Sequence, residues 1–586
     1  MSALARLYRT ALRISAWLVA APILALWLLG YLVVATVAAS VVGLVLIGIL
    51  GSLTGVGIAG TIWETVFGLA LVAVAWLLAF HLWAERTGVS LWFRGKPEDT
   101  HGSARFAEGP EIAELRRAPE GSLLIGRDPA SGDALRYDGP AHLLTLAPTR
   151  SGKGVGTVIP NLLTALRSVI VIDPKGENAR ITAARRAEIG PVHVLDPFGL
   201  TGWPSAACNP LDALTPDSLD LGEDAATLAD ALVMDPAGQI AEPHWNEEAK
   251  ALLTGLILFA ACHEEPGRRT LASVREYLTL PQDRFHELLG LMQESPEADG
   301  LIARAANRFL GKADREAASV MSNAQRHTHF LDSRRITDTL ARTDFDFAAL
   351  QHGIGSVFLV LPPDRLDTYA RWLRLLIAQA LRDIGRDAAS GTRRPEPLRG
   401  PESASTAERQ ATGATTSSPS TTPHSALGVP PEGPTLFLLD EFAALGRLEA
   451  VERAMGLMAG YGLQLWPILQ DLSQLKGLYG PKANTFVANA GVLQTFGVND
   501  LETAEWLSRA MGRETIETET RSHRVGDDPG YSISATGREL MTSDEIMRLP
   551  AHLQLLRLSG RPPLIARKIR YFEDPAFAGL YTRDAA

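Results

Sequence analysis

The chain has 586 residues, of which 46% are hydrophobic, and this length and composition predict a folded protein of two to four domains. Its formal net charge of −10 excludes nucleic-acid binding driven by overall charge, so any contact with DNA requires a locally basic surface such as the lumen of a ring. Cys208 and Cys262 are the only cysteines, which excludes a disulfide framework and a cysteine-based zinc cluster.

The N-terminal stretch from Ile14 to Trp83 is apolar and carries a single charged residue, a glutamate. This length holds two or three membrane spans of ~20 residues each. Arginines precede the stretch and basic residues follow it, so the positive-inside rule places both flanks in the cytoplasm and requires an even number of spans. We therefore predict a membrane anchor over residues 1–96, built as a transmembrane helical hairpin with spans within Trp17–Ile47 and Ile62–Trp83.

Beyond the anchor, short apolar runs alternate with helical patterns. The runs are Leu143–Leu146, Val169–Asp173, Val192–Asp196, Val357–Leu361, Leu436–Asp440, Leu465–Leu469, Val492–Phe496 and Leu553–Leu558. Fully apolar runs of this length are typical of a mostly parallel sheet that is buried on both faces. We predict an α/β fold, a RecA-like P-loop nucleotide-binding domain formed by residues 97–208 and 347–586.

The stretch Leu143–Thr157 reads LLTLAPTRSGKGVGT, an apolar strand followed by a small-residue loop and a helix. Loops of this kind hold phosphates with backbone N–H groups, a helix N-terminus and a lysine. The predicted nucleotide-binding residues are Thr149, Arg150, Ser151, Gly152, Lys153, Gly154, Val155 and Gly156. The usual pattern, G-x-x-x-x-G-K-[ST], is broken by Ala147 and by Gly154, which leaves Thr157 or water as the Mg²⁺ ligand. An ordinary glycine-rich turn is the alternative.

Polar residues at the ends of other strands supply the rest of the predicted site, because ligands bind at the carboxyl ends of parallel strands. Asp440 is predicted to hold Mg²⁺ and Glu441 to polarise the attacking water. Gln470 resembles the polar sensor of the γ-phosphate, with an exposed strand end as the alternative. Asp173 either helps to position the nucleotide or a neighbouring subunit, or caps the next helix.

Two further segments interrupt the strand pattern. Residues 209–346 lack strand signals, and their apolar residues recur at helical spacing, which predicts an inserted all-α domain. Residues 388–434 are rich in Ser, Thr, Pro, Gly and Ala without apolar periodicity. Such a composition cannot bury enough surface to offset its ordering entropy, so we predict a disordered loop within the nucleotide-binding domain.

Several ordered blocks carry a family resemblance. They are HGSARFA, APTRSGKGVG, VIDPKGE, LLDEFAALGRL, QDLSQLKGLYG, NDLETAEWLSRAMG and SGRPPLIARKIRYF. Together they resemble the TraG-type coupling ATPases of bacterial type IV secretion and conjugation, from about residue 100 to the end of the chain. Relatives of this type also read G-K-G in the loop, so Gly154 resembles a subfamily feature.

The resemblance implies an ATPase with ATP and Mg²⁺ as cofactors and with Lys153, Glu441 and Gln470 as catalytic residues. It implies a multi-pass protein of the bacterial inner membrane, in contact with membrane lipid and with the bulk of the chain in the cytoplasm. The implied partners are a relaxase within its relaxosome, DNA, and the inner-membrane components of the type IV secretion channel, with a homo-hexamer as the working form.

Two alternatives to this function stay open from the sequence. A chromosome-type DNA translocase shares the phosphate loop and the acidic strand, and such proteins usually add a terminal DNA-reading domain. A non-catalytic membrane docking platform for secretion substrates is favoured by Ala147, Gly154 and the absence of the arginine that some relatives carry before the Gln470 strand. Arg447, Arg453 and Arg509 are candidates to act in trans instead.

Overall fold

The structure is a computed structural model that describes residues 28–30, 32–43, 45–46, 49, 62–87, 99–234, 243–389, 433–522 and 530–582. Its backbone divides into two compact units. The first contains Met1–Ala104 and Gly512–Glu539, and the second contains Arg105–Met511 and Leu540–Ala586.

The secondary structure is numbered here in chain order. The strands β1 to β13 are Leu123–Arg127, Ala134–Tyr137, His142–Leu146, Val169–Asp173, Val192–Leu195, Ser356–Val360, Thr435–Leu439, Leu463–Leu469, Ala490–Thr495, Arg513–Ser522, Gly530–Glu539, Leu553–Leu558 and Leu564–Arg567. The helices α1 to α17 are Ile62–Thr87, Gly109–Arg117, Ile159–Thr164, Glu177–Ala187, Leu221–Leu232, Pro243–His263, Leu271–Leu278, Gln282–Gln293, Leu301–Leu310, Asp314–Thr328, Arg334–Asp338, Leu366–Ala389, Glu449–Leu457, Leu472–Tyr479, Ala483–Ala488, Leu501–Met511 and Ser543–Met547.

The first unit contains α1 and the antiparallel pair β10 and β11. A helix that crosses a membrane needs about 20 consecutive apolar residues. Among the described residues, no helix is long and apolar enough to do so. Within α1, the side chains are described for residues 69–81. The predicted transmembrane hairpin is therefore not confirmed, and the predicted multi-pass inner-membrane localisation is contradicted. The Gly51–Gly60 turn of that prediction lies outside the described residues.

The second unit is built on a mixed sheet. Its described strands number eleven, in the order β2-β1-β13-β12-β9-β3-β8-β7-β4-β6-β5. The seven from β9 to β5 run parallel to one another. The strands β12, β13, β1 and β2 extend the β9 edge as antiparallel neighbours. This order places β8 between β3 and β7, the strands that precede the phosphate loop and the acidic pair.

The central parallel strands are the predicted apolar runs, found within a few residues of the predicted ends. Every residue of β3, β4, β6, β7, β8 and β9 is buried. Strands covered on both faces need no polar side, which is why the sequence shows them as continuous apolar runs. The four-residue strands β2 and β13 were not predicted, because their burial is only partial.

The segment between β5 and β6 is helical. Its described residues from 209 to 346 form the seven helices α5 to α11 and no strand, with α6 packed against α5, α9 and α10. Whether residues 209–346 fold as a domain of their own stays a prediction. The predicted disordered loop falls almost wholly on residues 390–432, which lie outside the described residues; Ala388 and Ala389 belong to α12.

Candidate functional site

The candidate site lies at the carboxyl-terminal edge of the parallel strands. The phosphate loop follows β3, Gln470 follows β8, and Asp440 with Glu441 follows β7. The β3 and β8 strands pair through Leu146 and Leu469, so their ends are level. The sheet order therefore brings the phosphate loop, the acidic pair and Gln470 to one edge of the sheet. In the sequence, Asp440 and Gln470 lie about 290 and about 320 positions after Lys153.

The backbone of the phosphate loop is strained, because two of its residues have positive φ angles. Arg150 and Gly152 have positive φ angles of 63° and 92°. A single π-helical turn, Gly154–Val158, then leads into α3. A Cβ atom added at Gly152 or at Gly154 would meet no atom within 4 Å, so open space lies over this part of the loop. Backbone N–H groups at the start of such a turn favour an anionic ligand.

Lys153 faces both members of the acidic pair. Its Nζ donates to Glu441 Oε1 at 2.6 Å and lies 3.6 Å from Asp440 Oδ1. The Lys153 and Asp440 side chains are only 11% and 14% exposed. Burial raises the pKa of the Asp440 carboxyl, and the nearby ammonium of Lys153 opposes that rise. Lys153 and the two carboxylates therefore form one cluster, in which the ammonium offsets part of the negative charge.

The acidic pair has a local backbone contact of its own, and the loop that follows it is held by a buried arginine. Glu441 has a φ of 52°, in the left-handed region, and its N–H donates to Asp440 Oδ1 at 3.0 Å. Arg374, buried on α12, donates to the carbonyls of Leu445 and Arg447 at 2.8 and 2.6 Å. It also donates to carbonyls at the end of α5. The loop after the acidic pair is thus fixed to the start of the helical segment.

A buried polar network lies below the phosphate loop. The Thr157 hydroxyl donates to Gln494 Oε1 at 3.1 Å, and the Thr145 hydroxyl donates to the same oxygen at 2.9 Å. The Gln494 amide donates in turn to Gln554 at 2.8 Å. This network ties the loop helix to β9 and β12. Thr157 is fully buried, and to ligate Mg²⁺ as predicted its hydroxyl would have to leave Gln494.

Asp173 acts as a helix cap in this structure. Its carboxylate accepts a hydrogen bond from the backbone N–H of Ala179 in α4 at 2.8 Å. Burial, together with the nearby charge of Asp440, raises the pKa of Asp173 to about 6, although the backbone hydrogen bonds that it accepts act in the opposite direction. Of the two interpretations drawn from the sequence, the cap has direct support. Gln470 lies at the end of β8, where its backbone N–H donates to Gln474 Oε1, and its sensor role stays a prediction.

Sequence reasoning missed one cation beside the phosphate loop. Lys568 follows β13 and donates from Nζ to the carbonyl of Ser151 at 2.8 Å. Its block, SGRPPLIARKIRYF, is one of those that carry the family resemblance, which implies no role for the lysine. No local pattern signals a contact between residues 417 positions apart.

These features fit a nucleoside triphosphate with Mg²⁺. The strained loop, the lysine and the open space over Gly152 match a polyphosphate, and the carboxylate of Asp440 is an oxygen donor of the kind that Mg²⁺ prefers. Among the described residues, no group of three or more His, Cys, Asp or Glu side chains could hold another metal.

Comparison with known proteins agrees with this geometry. The family model for "Type IV secretory system Conjugative DNA transfer" matches residues 112–398 and 424–583. The conjugal transfer protein TraG of Escherichia coli is 30% identical over 542 residues, which cover 82% of this chain and 78% of that protein.

Two solved structures of the plasmid coupling protein TrwB are similar in fold. TrwB in complex with the non-hydrolysable ATP analogue ADPNP has a TM-score of 0.56 at 17% identity, covering 83% of this chain and 98% of TrwB. TrwB in complex with ADP and Mg²⁺ has a TM-score of 0.56 at 16% identity, covering 80% and 93%. This likeness confirms the predicted RecA-like α/β class, here with a mixed sheet.

Proposed function

Because the chain belongs to the family of conjugative DNA transfer proteins of type IV secretory systems, we propose that it is a Mg²⁺-dependent ATPase that couples a relaxase–DNA substrate to the secretion channel. The observation that carries this proposal is the contact of Lys153 with Asp440 and Glu441 beside a strained phosphate loop. In an ordinary glycine-rich turn, we would not expect the lysine to contact the carboxylates that follow a distant strand.

Each residue of the site has a role in this mechanism. Lys153 exchanges Glu441 for the β- and γ-phosphate oxygens, and the amides of Gly152 to Gly156 hold the same phosphates. Asp440 would hold Mg²⁺, which would neutralise charge on the phosphates. Glu441, released from Lys153, accepts a proton from the attacking water, and Gln470 orients that water or reads the γ-phosphate.

The proposed partners are the relaxase in its relaxosome, the transferred DNA and components of the channel. The working form is a homo-hexamer. Among the described residues, the contacts of Lys153, Asp440 and Glu441 include no arginine side chain. A cation that stabilises the transition state therefore comes from a neighbouring subunit, with Arg447, Arg453 and Arg509 as candidates.

A non-catalytic docking platform is the second candidate function. The observation that favours it is Thr157, whose hydroxyl is held by Gln494 while Gly154 supplies no hydroxyl in its place. Under this alternative, ATP binds and stabilises a substrate receptor without being hydrolysed.

Steady-state ATP hydrolysis by the purified full chain separates the two functions. The ATPase proposal predicts Mg²⁺-dependent turnover, which Glu441→Gln reduces by about 100-fold or more while nucleotide binding is retained. The amide keeps the shape of the side chain and removes the basic oxygen. Tight ATP binding with no turnover in either protein would favour the docking platform, and no binding would reject both.

A further inference from the structure

We propose that Lys568 is a positioning residue of the phosphate loop whose positive charge strengthens the binding of nucleotide phosphates. This inference rests on the proposed ATPase site and adds a residue from the C-terminal part of the chain to it.

The position of Lys568 is fixed by contacts on three sides. Its backbone N–H donates to the carbonyl of His552 at 2.8 Å. Its Nζ lies 4.8 Å from the centre of the Phe496 ring, at the end of the strand beside β3. The same Nζ donates to the carbonyl of Ser151, the residue before Gly152. The ammonium is therefore held against the loop that carries Lys153.

The backbone next to Lys568 also closes against the loop. A Cβ atom added at Gly156 would lie 3.0 Å from the carbonyl oxygen of Ile569. Ile569 and Tyr571 pack in one apolar cluster with Ile159 of α3, which continues the phosphate loop. The segment after β13 thus forms one wall of the loop, and Lys568 is the residue of this wall whose ammonium contacts the loop backbone at Ser151.

The charge of Lys568 is not neutralised within the described residues. No carboxylate lies within ion-pair distance of its Nζ there, whereas Lys250, another partly buried lysine, contacts both Asp230 and Glu247. An ammonium has three donors, and the described hydrogen bonds of Lys568 use one. Burial and the like charge of Arg570 both lower the pKa of Lys568, so a nearby anion would favour its charged form. Nucleotide phosphates supply that anion.

The test compares nucleotide binding by the full-length protein and four variants. Lys568→Met removes the charge, Lys568→Gln keeps a neutral donor for Ser151, Lys568→Arg keeps the charge, and Lys250→Met is the matched control. Binding of ATP and of ADP with Mg²⁺ is measured by displacement of a fluorescent ATP analogue, and thermal unfolding verifies that each variant is folded.

We expect Lys568→Met and Lys568→Gln to weaken ATP binding by about tenfold or more, with a smaller loss for ADP because it carries less charge. Lys568→Arg recovers most of the affinity, and Lys250→Met binds as the parent does. In hydrolysis, KM rises while kcat changes by less than about threefold, since loop placement precedes chemistry.

Wild-type affinity in Lys568→Met, or in Lys568→Gln, would overturn the inference. Equal losses for all three Lys568 variants and for ATP and ADP would also overturn it, because that pattern reports packing and not charge. If the unaltered protein bound no nucleotide, the proposed function would fail and this inference would fall with it.

Discussion

At the scale of single residues, the site is a partly buried cluster of one ammonium and two carboxylates. Lys153 faces two carboxylates that the strand order places at the same edge, and its ammonium lowers the cost of burying them, whereas Asp440 and Glu441 repel each other. The sequence predicted the members of this group but not their direct contact, since a motif gives residue types and not the rotamers that join them. The same holds for Thr157 in the helical turn, whose interior partner Gln494 lies on β9.

Replacing Lys153 by alanine should strongly weaken nucleotide binding and leave two carboxylates without their ammonium partner. We expect the affinity for Mg·ATP to fall by about 100-fold or more, and the pKa of Asp440 to rise further, because the opposing ammonium is gone. Calorimetric titration with Mg·ATP measures the affinity. The Lys153→Arg variant is the control for charge, and unchanged binding in Lys153→Ala would remove the loop from the site.

Asp173 should make stability depend on pH in a predictable direction. Its folded pKa is about 6 against an ordinary value of 3.8, so the folded chain binds this proton more tightly than the unfolded chain does. Stability relative to Asp173→Asn should therefore fall as pH rises from about 4 to about 6, by on the order of 3 kcal/mol, and stay constant above that window. Urea unfolding of both proteins at several pH values measures this difference. A difference that does not change with pH would show that Asp173 is not a buried acid.

At the scale of elements, the phosphate loop and the central strands were predictable and the closing wall of the site was not. Buried parallel strands have continuous apolar sequences, which is why the sequence predicted β3, β4 and β7. The short strand β13 has no such signal, so the sequence did not predict the wall that carries Lys568. The loop itself departs from the usual pattern at Gly154, where the structure shows open space and not a clash.

Two glycines of the loop should respond differently to the same substitution. Gly152 has a φ of 92°, whereas Gly154 begins the helical turn, and a Cβ at either would meet open space. Gly152→Ala should cost about 1–3 kcal/mol of loop strain and weaken ATP binding, while Gly154→Ala should leave folding nearly unchanged. Thermal unfolding and ATP titration of the two variants measure this contrast. Equal effects at both positions would mean that the positive φ angle is not needed.

At the scale of the whole molecule, the second unit joins a nucleotide site to a helical segment inserted between β5 and β6. Arg374 contacts carbonyls of both the acidic loop and the end of α5, so the two share a buried hydrogen-bonding residue. The helical character of residues 209–346 was predicted from periodicity, but Arg374 was not, because its partners are backbone atoms. The multi-pass membrane prediction, drawn from the apolar N-terminal stretch, the charges that flank it and the family resemblance, is the one the structure contradicts.

The central claim is that the chain is an ATP-driven ring motor acting on DNA, and its most direct test is the ATPase rate as a function of protein concentration, with and without DNA. The full chain is assayed at low salt, with Glu441→Gln as the background. A site completed by a neighbouring subunit predicts a Mg²⁺-dependent rate that rises more steeply than linearly with concentration and is increased by DNA, an increase that salt weakens. A specific rate that is constant with concentration and indifferent to DNA, or hydrolysis that survives in Glu441→Gln, would contradict the account.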